Sequence, residues 1–250
     1  MLRQHRHSGD SDDQLRLPVS LLLRKAAAET LGTAFLVAAV IGSGIAAQRL
    51  SPGDVGLQLL QNSLATGAAL VALIVALQPI SAAFNPIVTL VERAIGLVTT
   101  GQAAVLISAQ VVGGLAGAVA ANLMFSLPAI TVSDQTRSGS GLWLGEVVAT
   151  LGLLLVIFGA IRAGRTHQVG YLVGAYITAA YWFTSSTSFA NPAVTVARMF
   201  SDTFAGIAPA SAGVFILMQV LGGAAALAMI RTLYPQPAPV PQPLAAGDPR

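Results

Sequence analysis

Apolar runs free of any charge dominate this chain, and they cover residues 30–48, 55–91, 94–133, 147–161, 169–197 and 203–230. A bilayer core takes about 20 apolar residues per helix and penalises a central charge by roughly 2.5–3.5 kcal/mol, so runs of this kind predict membrane-spanning helices. Cutting the runs that exceed one helix at Gly, Pro and polar clusters predicts six spans, near 24–48, 57–78, 101–125, 142–162, 168–184 and 211–232. Two apolar pieces are left over, 85–95 and 191–201, and both open with Asn-Pro. At about 1.5 Å rise per residue, some ten residues reach only half way across a membrane.

Asn is among the better N-caps, and Pro suits the first helical position, where its missing N–H would have had no partner. Asn-Pro therefore starts a helix. Starting one inside the membrane strands the backbone polar groups of the preceding loop, which is tolerated only within protein or beside a water-filled path.

The chain repeats itself. Glu29-x-x-x-Thr33 returns as Glu146-x-x-x-Thr150, "NPIVT" at Asn85 returns as "NPAVT" at Asn191, and "QVVGG" at Gln110 returns as "QVLGG" at Gln219. Each copy holds three spans, an odd number, so the second enters the membrane from the opposite side and the halves are inverted. The two half-helices then meet near the midplane with their amino termini facing, each equivalent to about half a positive charge. Such a junction repels cations and protons and suits neutral hydroxylated solutes.

Composition agrees with a membrane protein, since 54% of residues are hydrophobic and 9% are charged. The first run is expected to be a retained span and not a cleaved leader, because it holds Glu29 and lacks a small-residue cleavage site. Six spans put Arg3, Arg6, Arg16, Arg24, Lys25, Arg93, Arg162, Arg165, Arg231 and Arg250 on the side of the termini, and Arg49, Arg137 and Arg198 on the other. The positive-inside rule then places both termini in the cytoplasm, the expectation being an inner cell membrane. The basic balance reflects this topology; no aromatic-interleaved basic patch points to nucleic acid. Cysteine is absent, which removes disulfides and thiolate metal sites, and His5, His7 and His167 are too scattered to hold a metal. No cofactor or metal is expected. The segment 1–23, polar up to Pro18, and the Pro-rich tail 235–250 are expected to be disordered, leaving a channel domain at 24–234 with repeats at about 24–125 and 142–234.

Paired Asn-Pro boxes, the doubled E-x-x-x-T and the six-span layout together resemble the aquaporin (major intrinsic protein) family over residues 25–234. The resemblance implies an all-α membrane protein of six transmembrane helices and two re-entrant half-helices, a homotetramer with one pore per subunit. Asn85, Pro86 and Ile87 stand at the first box and Asn191, Pro192 and Ala193 at the second. Ile87 is bulkier than the family's usual Ala, with packing its expected effect. The family's glutamates accept hydrogen bonds from the loops leading to the half-helices, a structural role that Glu29 and Glu146 inherit by resemblance.

The family's outer constriction usually holds an arginine directly after the second box, where this chain has Val194. Its other positions fall at Ala179, Ser188 and Thr66, or at Ala65 if the preceding loop has lost no residue. Four small uncharged side chains imply a wide filter free of arginine. Arg198, one turn on, is expected to snorkel outward or pair with Asp202 at i,i+4. Val194, "SSTSFANPAVT" and "DTFAGIAP" are closer to a bacterial, arsenic-linked, aquaglyceroporin-like branch than to water-selective members. The resemblance implies passive passage of small neutral solutes such as arsenous acid, glycerol and water. A water and glycerol facilitator without a metalloid role is the alternative, and a coupled transporter a more distant one. No enzymatic constellation falls at membrane depth, so no enzyme is expected.

Overall fold

The computed structural model describes residues 17–234. The expectations for residues 1–16 and for the tail 235–250 lie outside the described residues. Eight α-helices follow in order: α1 (Val19–Leu50), α2 (Val55–Leu77), α3 (Pro86–Ala94), α4 (Thr100–Met124), α5 (Ser140–Arg162), α6 (Val169–Phe183), α7 (Pro192–Arg198) and α8 (Pro209–Leu233), with a 3-10 turn at Thr166–Gln168 before α6. The described residues contain no strand.

Five of these helices, α1, α2, α4, α5 and α8, are long and apolar enough to cross a membrane. The sixth span, α6, has 15 residues and is prolonged by the 3-10 turn at one end and by a re-entrant loop at the other. One boundary expectation is corrected: α1 begins at Val19, so residues 19–23 of the supposedly disordered segment are helical. The apolar run Leu21-Leu22-Leu23 lengthens that helix by more than a turn ahead of Arg24 and Lys25.

Burial is inverted relative to a water-soluble protein. Phe35, Leu64, Val112, Leu144 and Leu217 are exposed, whereas Glu29, Glu146, Gln110, Gln219 and Asn62 are buried. This suits a surround of hydrocarbon, where outward apolar groups cost nothing and polar groups must be satisfied inside.

Helix crossings are close because glycines line them. A Cβ on Gly113 would fall 2.2 Å from the carbonyl oxygen of Thr30, and one on Gly117 2.2 Å from that of Ala34, which locks α4 on α1. The second repeat copies this contact, with Gly222 of α8 set 2.6 Å from the carbonyl oxygen of Val147 on α5 by the same measure. Between the repeats, Gly67 of α2 and Gly174 of α6 each face the other's carbonyl oxygen, at 2.9 and 2.6 Å. Small residues at crossings let backbones approach where lipid supplies no hydrophobic drive. The half-helices α3 and α7 fill the space this frame encloses, and they touch each other there.

Candidate functional site

Asn85 and Asn191 sit at the tips of the half-helices in extended conformation, and both act as N-caps. The Asn85 side-chain oxygen accepts from the amide of Ile87 at 2.9 Å, and that of Asn191 from the amides of Ala193 at 3.0 Å and Val194 at 3.3 Å. Each carboxamide also donates across the junction: Asn85 Nδ2 to the Ala190 carbonyl at 2.8 Å, Asn191 Nδ2 to the Phe84 carbonyl at 2.7 Å. These reciprocal bonds join α3 to α7 and leave one N–H of each amide for another acceptor. Pro86 and Pro192 occupy the first helical position and are buried. Ile87 does not line the cavity; its Cγ2 lies 2.5 Å from where a Cβ on Gly223 would stand, so it packs against α8. Ala193 lies on the other side of the junction, its carbonyl against Gly114.

The loops entering these boxes bend through left-handed residues, Phe84 (φ 47°) and Ala190 (φ 48°), conformations that cost a non-glycine residue about 1–2 kcal/mol. Two carboxylates hold them. Glu29 accepts from the amides of Ala83 at 2.9 Å and Phe84 at 2.7 Å, from Ser81 Oγ at 2.5 Å and from Gln110 Nε2 at 2.8 Å. Glu146 accepts from the amides of Phe189 and Ala190, both at 2.9 Å, and from Gln219 Nε2 at 2.6 Å. Gln110 and Gln219 then reach Thr89 and Thr195 of the half-helices, each at 2.9 Å. Every doubled motif in the sequence thus lands in one of two matching networks. The match extends to the atoms without a partner among the described residues, the hydroxyls of Thr33 and Thr150 and the side-chain oxygens of Gln110 and Gln219.

A cavity of about 360 Å³ runs past both asparagines. Much of its lining is apolar, including Val40, Leu70, Ile74, Leu153, Ile157 and Val173, and polar groups beside the junction come from Asn85, Asn191, Thr66 and Ser188. Thr66, and not Ala65, lines it, and its hydroxyl lies 3.2 Å from that of Tyr181. Ser188 is buried in left-handed conformation (φ 53°) and its Oγ has no partner among the described residues. Val194 lines the cavity as well.

Ala179 does not. It is exposed on the face of α6 shared with Leu172 and Trp182, whereas Ile177 and Tyr181 of the same helix line the cavity, so the expectation that Ala179 faces the path is corrected. Two residues along a helix turn a side chain by about 200°, enough to exchange inner and outer faces.

Arg198 is a second correction. It neither snorkels nor pairs with Asp202: it is 2% exposed, its Nε donates to the Ala205 carbonyl, and its guanidinium lies 3.4 Å from the centre of the Phe189 ring. The half-helix ends beneath the chain that follows it, not at the surface, so the side chain folds inward. It borders both the main cavity and a second recess of about 210 Å³ towards the side opposite the termini. The mouth of the cavity therefore holds an arginine after all, presented one turn further along α7 than the family position. Arg137, from the α4–α5 connection, stands over the same Phe189 ring at 5.2 Å and donates from Nε to Gly206 at 2.8 Å and from Nη2 to Phe204 at 3.1 Å. Burial lowers its pKa from the ordinary arginine value, yet a guanidinium keeps its proton in proteins. Tyr181 and Arg137 were missed because aromatic and charged residues in a membrane chain read first as packing or topology signals.

The described residues hold no cluster of three or more His, Asp or Glu able to bind a metal. A model of the major intrinsic protein family matches residues 17–190. The chain is 50% identical over 218 residues to aquaglyceroporin AqpS of Rhizobium meliloti (strain 1021), covering 87% of this chain and 92% of that relative. The X-ray structure of the aquaglyceroporin from Plasmodium falciparum superposes with a TM-score of 0.64 at 19% identity, over 84% of this chain and 95% of that one, a likeness of fold. Inverted half-helices joined tip to tip, duplicated carboxylate networks and these likenesses agree: the chain belongs to the major intrinsic protein family.

Proposed function

We propose that this protein is a passive channel for small neutral hydroxylated solutes: glycerol-like polyols, metalloid hydroxides such as arsenous acid, and water. The observation that carries the reading is a cavity lined both by apolar side chains and by the hydrogen-bonding groups of Asn85, Asn191, Thr66 and Ser188. A polyol carries both C–H groups and hydroxyls, so the apolar and the hydrogen-bonding parts of the lining are each matched. A desolvated hydroxyl left unpaired would cost about 1–3 kcal/mol, which the free N–H groups of Asn85 and Asn191 and the unpaired Ser188 hydroxyl avoid. Arsenous acid offers three hydroxyls in a neutral molecule and meets the same donors. The name of the Rhizobium relative, an aquaglyceroporin, supports a polyol path.

The filter in this reading comprises Thr66, Tyr181, Ser188 and Val194, with Arg198 one turn outward. Cation exclusion rests on the facing half-helix termini, about half a positive charge each, and on that guanidinium. The two intramembrane glutamates accept bonds from loop amides and serve as struts, which favours a channel over a proton-coupled transporter. The positive-inside count supports cytoplasmic termini and an inner-membrane location, and the family resemblance supports a homotetramer.

The test is flux in proteoliposomes against protein-free controls, with glycerol, arsenous acid and water measured in the same vesicles. All three are expected to exceed control. Val194→Arg places a guanidinium about one turn, near 5–6 Å, deeper than Arg198 and is expected to lower glycerol and arsenous acid flux at least about tenfold, water flux less. Passage of water alone would overturn the proposed solute class.

A further inference from the structure

We propose that the pore mouth on the side opposite the termini binds a small monovalent oxyanion between the guanidinium groups of Arg137 and Arg198. The two side chains arrive from different elements and share one ring, with Cζ atoms 5.2 and 3.4 Å from the Phe189 centroid. Arg198 is 2% exposed, and only its Nε has an acceptor among the described residues; both Nη groups are unspent. Arg137 uses Nε and Nη2 on carbonyls, leaving its other Nη. Both border a recess of about 210 Å³ that Asn62 and Thr187 also line, room for an anion of four or five heavy atoms.

Among the described residues no carboxylate bonds to either guanidinium, whose acceptors are carbonyls. Asp54 accepts from the amide of Leu57, and Asp202 from the amide of Asp134. Glu146 acts on both arginines through space, but its oxygens are taken by Phe189, Ala190 and Gln219. Two guanidiniums against one carboxylate leave a single positive charge in a buried setting, and an unpaired buried charge is costly. A monovalent anion cancels it, and an oxyanion does so best, because planar guanidinium forks bind paired oxygens. Further in, the Val, Ile and Leu wall strips hydration that an anion cannot replace, so the anion rests at the mouth and obstructs neutral solutes.

The test uses glycerol uptake into right-side-out vesicles bearing the full chain, with nitrate as probe and chloride at equal ionic strength as the control lacking paired oxygens. Because it rests on the channel reading, nitrate binding to the detergent-solubilised protein is measured in parallel by calorimetry. Nitrate outside is expected to inhibit saturably and more strongly than chloride, and nitrate inside to have no such effect. Arg137→Gln is expected to raise the half-inhibiting concentration about tenfold, and Arg137→Lys, which keeps the charge but loses the fork, several-fold. Equal inhibition by nitrate and chloride, inhibition from the inside, or a half-inhibiting concentration unmoved in both variants would overturn the proposal. If glycerol does not pass at all, the channel reading fails, and calorimetry still decides the anion site.

Discussion

At the scale of single residues, Glu146 shows how much one side chain carries. Its carboxylate faces three donors, two of them amides of a loop bent through left-handed backbone. Glu146→Gln keeps the shape but turns one acceptor oxygen into a donor, so an amide or the Gln219 side chain loses its partner. Hydrogen bonds to a charged group contribute about 1.5–3 kcal/mol each, so a loss of about 2–4 kcal/mol is expected. Thermal unfolding of the detergent-solubilised variant checks this; a melting temperature equal to that of the parent would contradict the strut role. Glu146 and its partner Glu29 were legible because they recur in step with the Asn-Pro boxes. Ala179 and Arg198 were not legible for reasons of geometry. Counting twelve residues back from Asn191 passes through a loop with left-handed residues at 187, 188 and 190, where residue number no longer measures helical phase. The snorkelling expectation for Arg198 assumed a helix end at the membrane surface, whereas α7 ends inside, against the carbonyl of Ala205.

At the scale of elements, backbone contact between helices matters more than the apolar pattern that first locates them. The charge-free runs give the number of spans, but their edges blur where apolar sequence continues into a loop or, as at Leu21–Leu23, precedes the first charges. Gly117 sits where a Cβ would come 2.2 Å from the backbone oxygen of Ala34, and backbone cannot swing aside as a flexible side chain can. Gly117→Ala must separate α4 from α1, an overpacking cost of about 1–3 kcal/mol, and thermal unfolding is expected to show it. Gly213, on α8, has nothing within 4 Å of where a Cβ would stand, so Gly213→Ala should be neutral or stabilising by up to about 1 kcal/mol through helix propensity. Equal effects at the two sites would mean that the α1–α4 crossing yields without strain. The doubling of this contact at Gly222 predicts the same sensitivity in the second repeat.

At the scale of the whole molecule, the chain's lack of cysteine makes the pore's lining directly testable. Any thiol introduced is the only one present, so a reagent that blocks flux reports on that position alone. Val194 and Tyr181 line the cavity, whereas Ala179 lies on the outer face of α6. Val194→Cys and Tyr181→Cys channels are expected to lose most glycerol flux on treatment with a small water-soluble thiol reagent, and the parent chain to lose none. Ala179→Cys is expected to keep its flux whether or not it is modified, because the added group projects away from the path. Block at Ala179→Cys with no block at Tyr181→Cys would restore the spacing-based filter and rotate α6 by about half a turn, a rotation that would also break the mutual approach of Gly67 and Gly174. The inverted frame leaves little freedom for that rotation, since Gly174 and Tyr181, seven residues apart, share one face of α6 and a half-turn would break the glycine crossing and the approach of Tyr181 to Thr66 together.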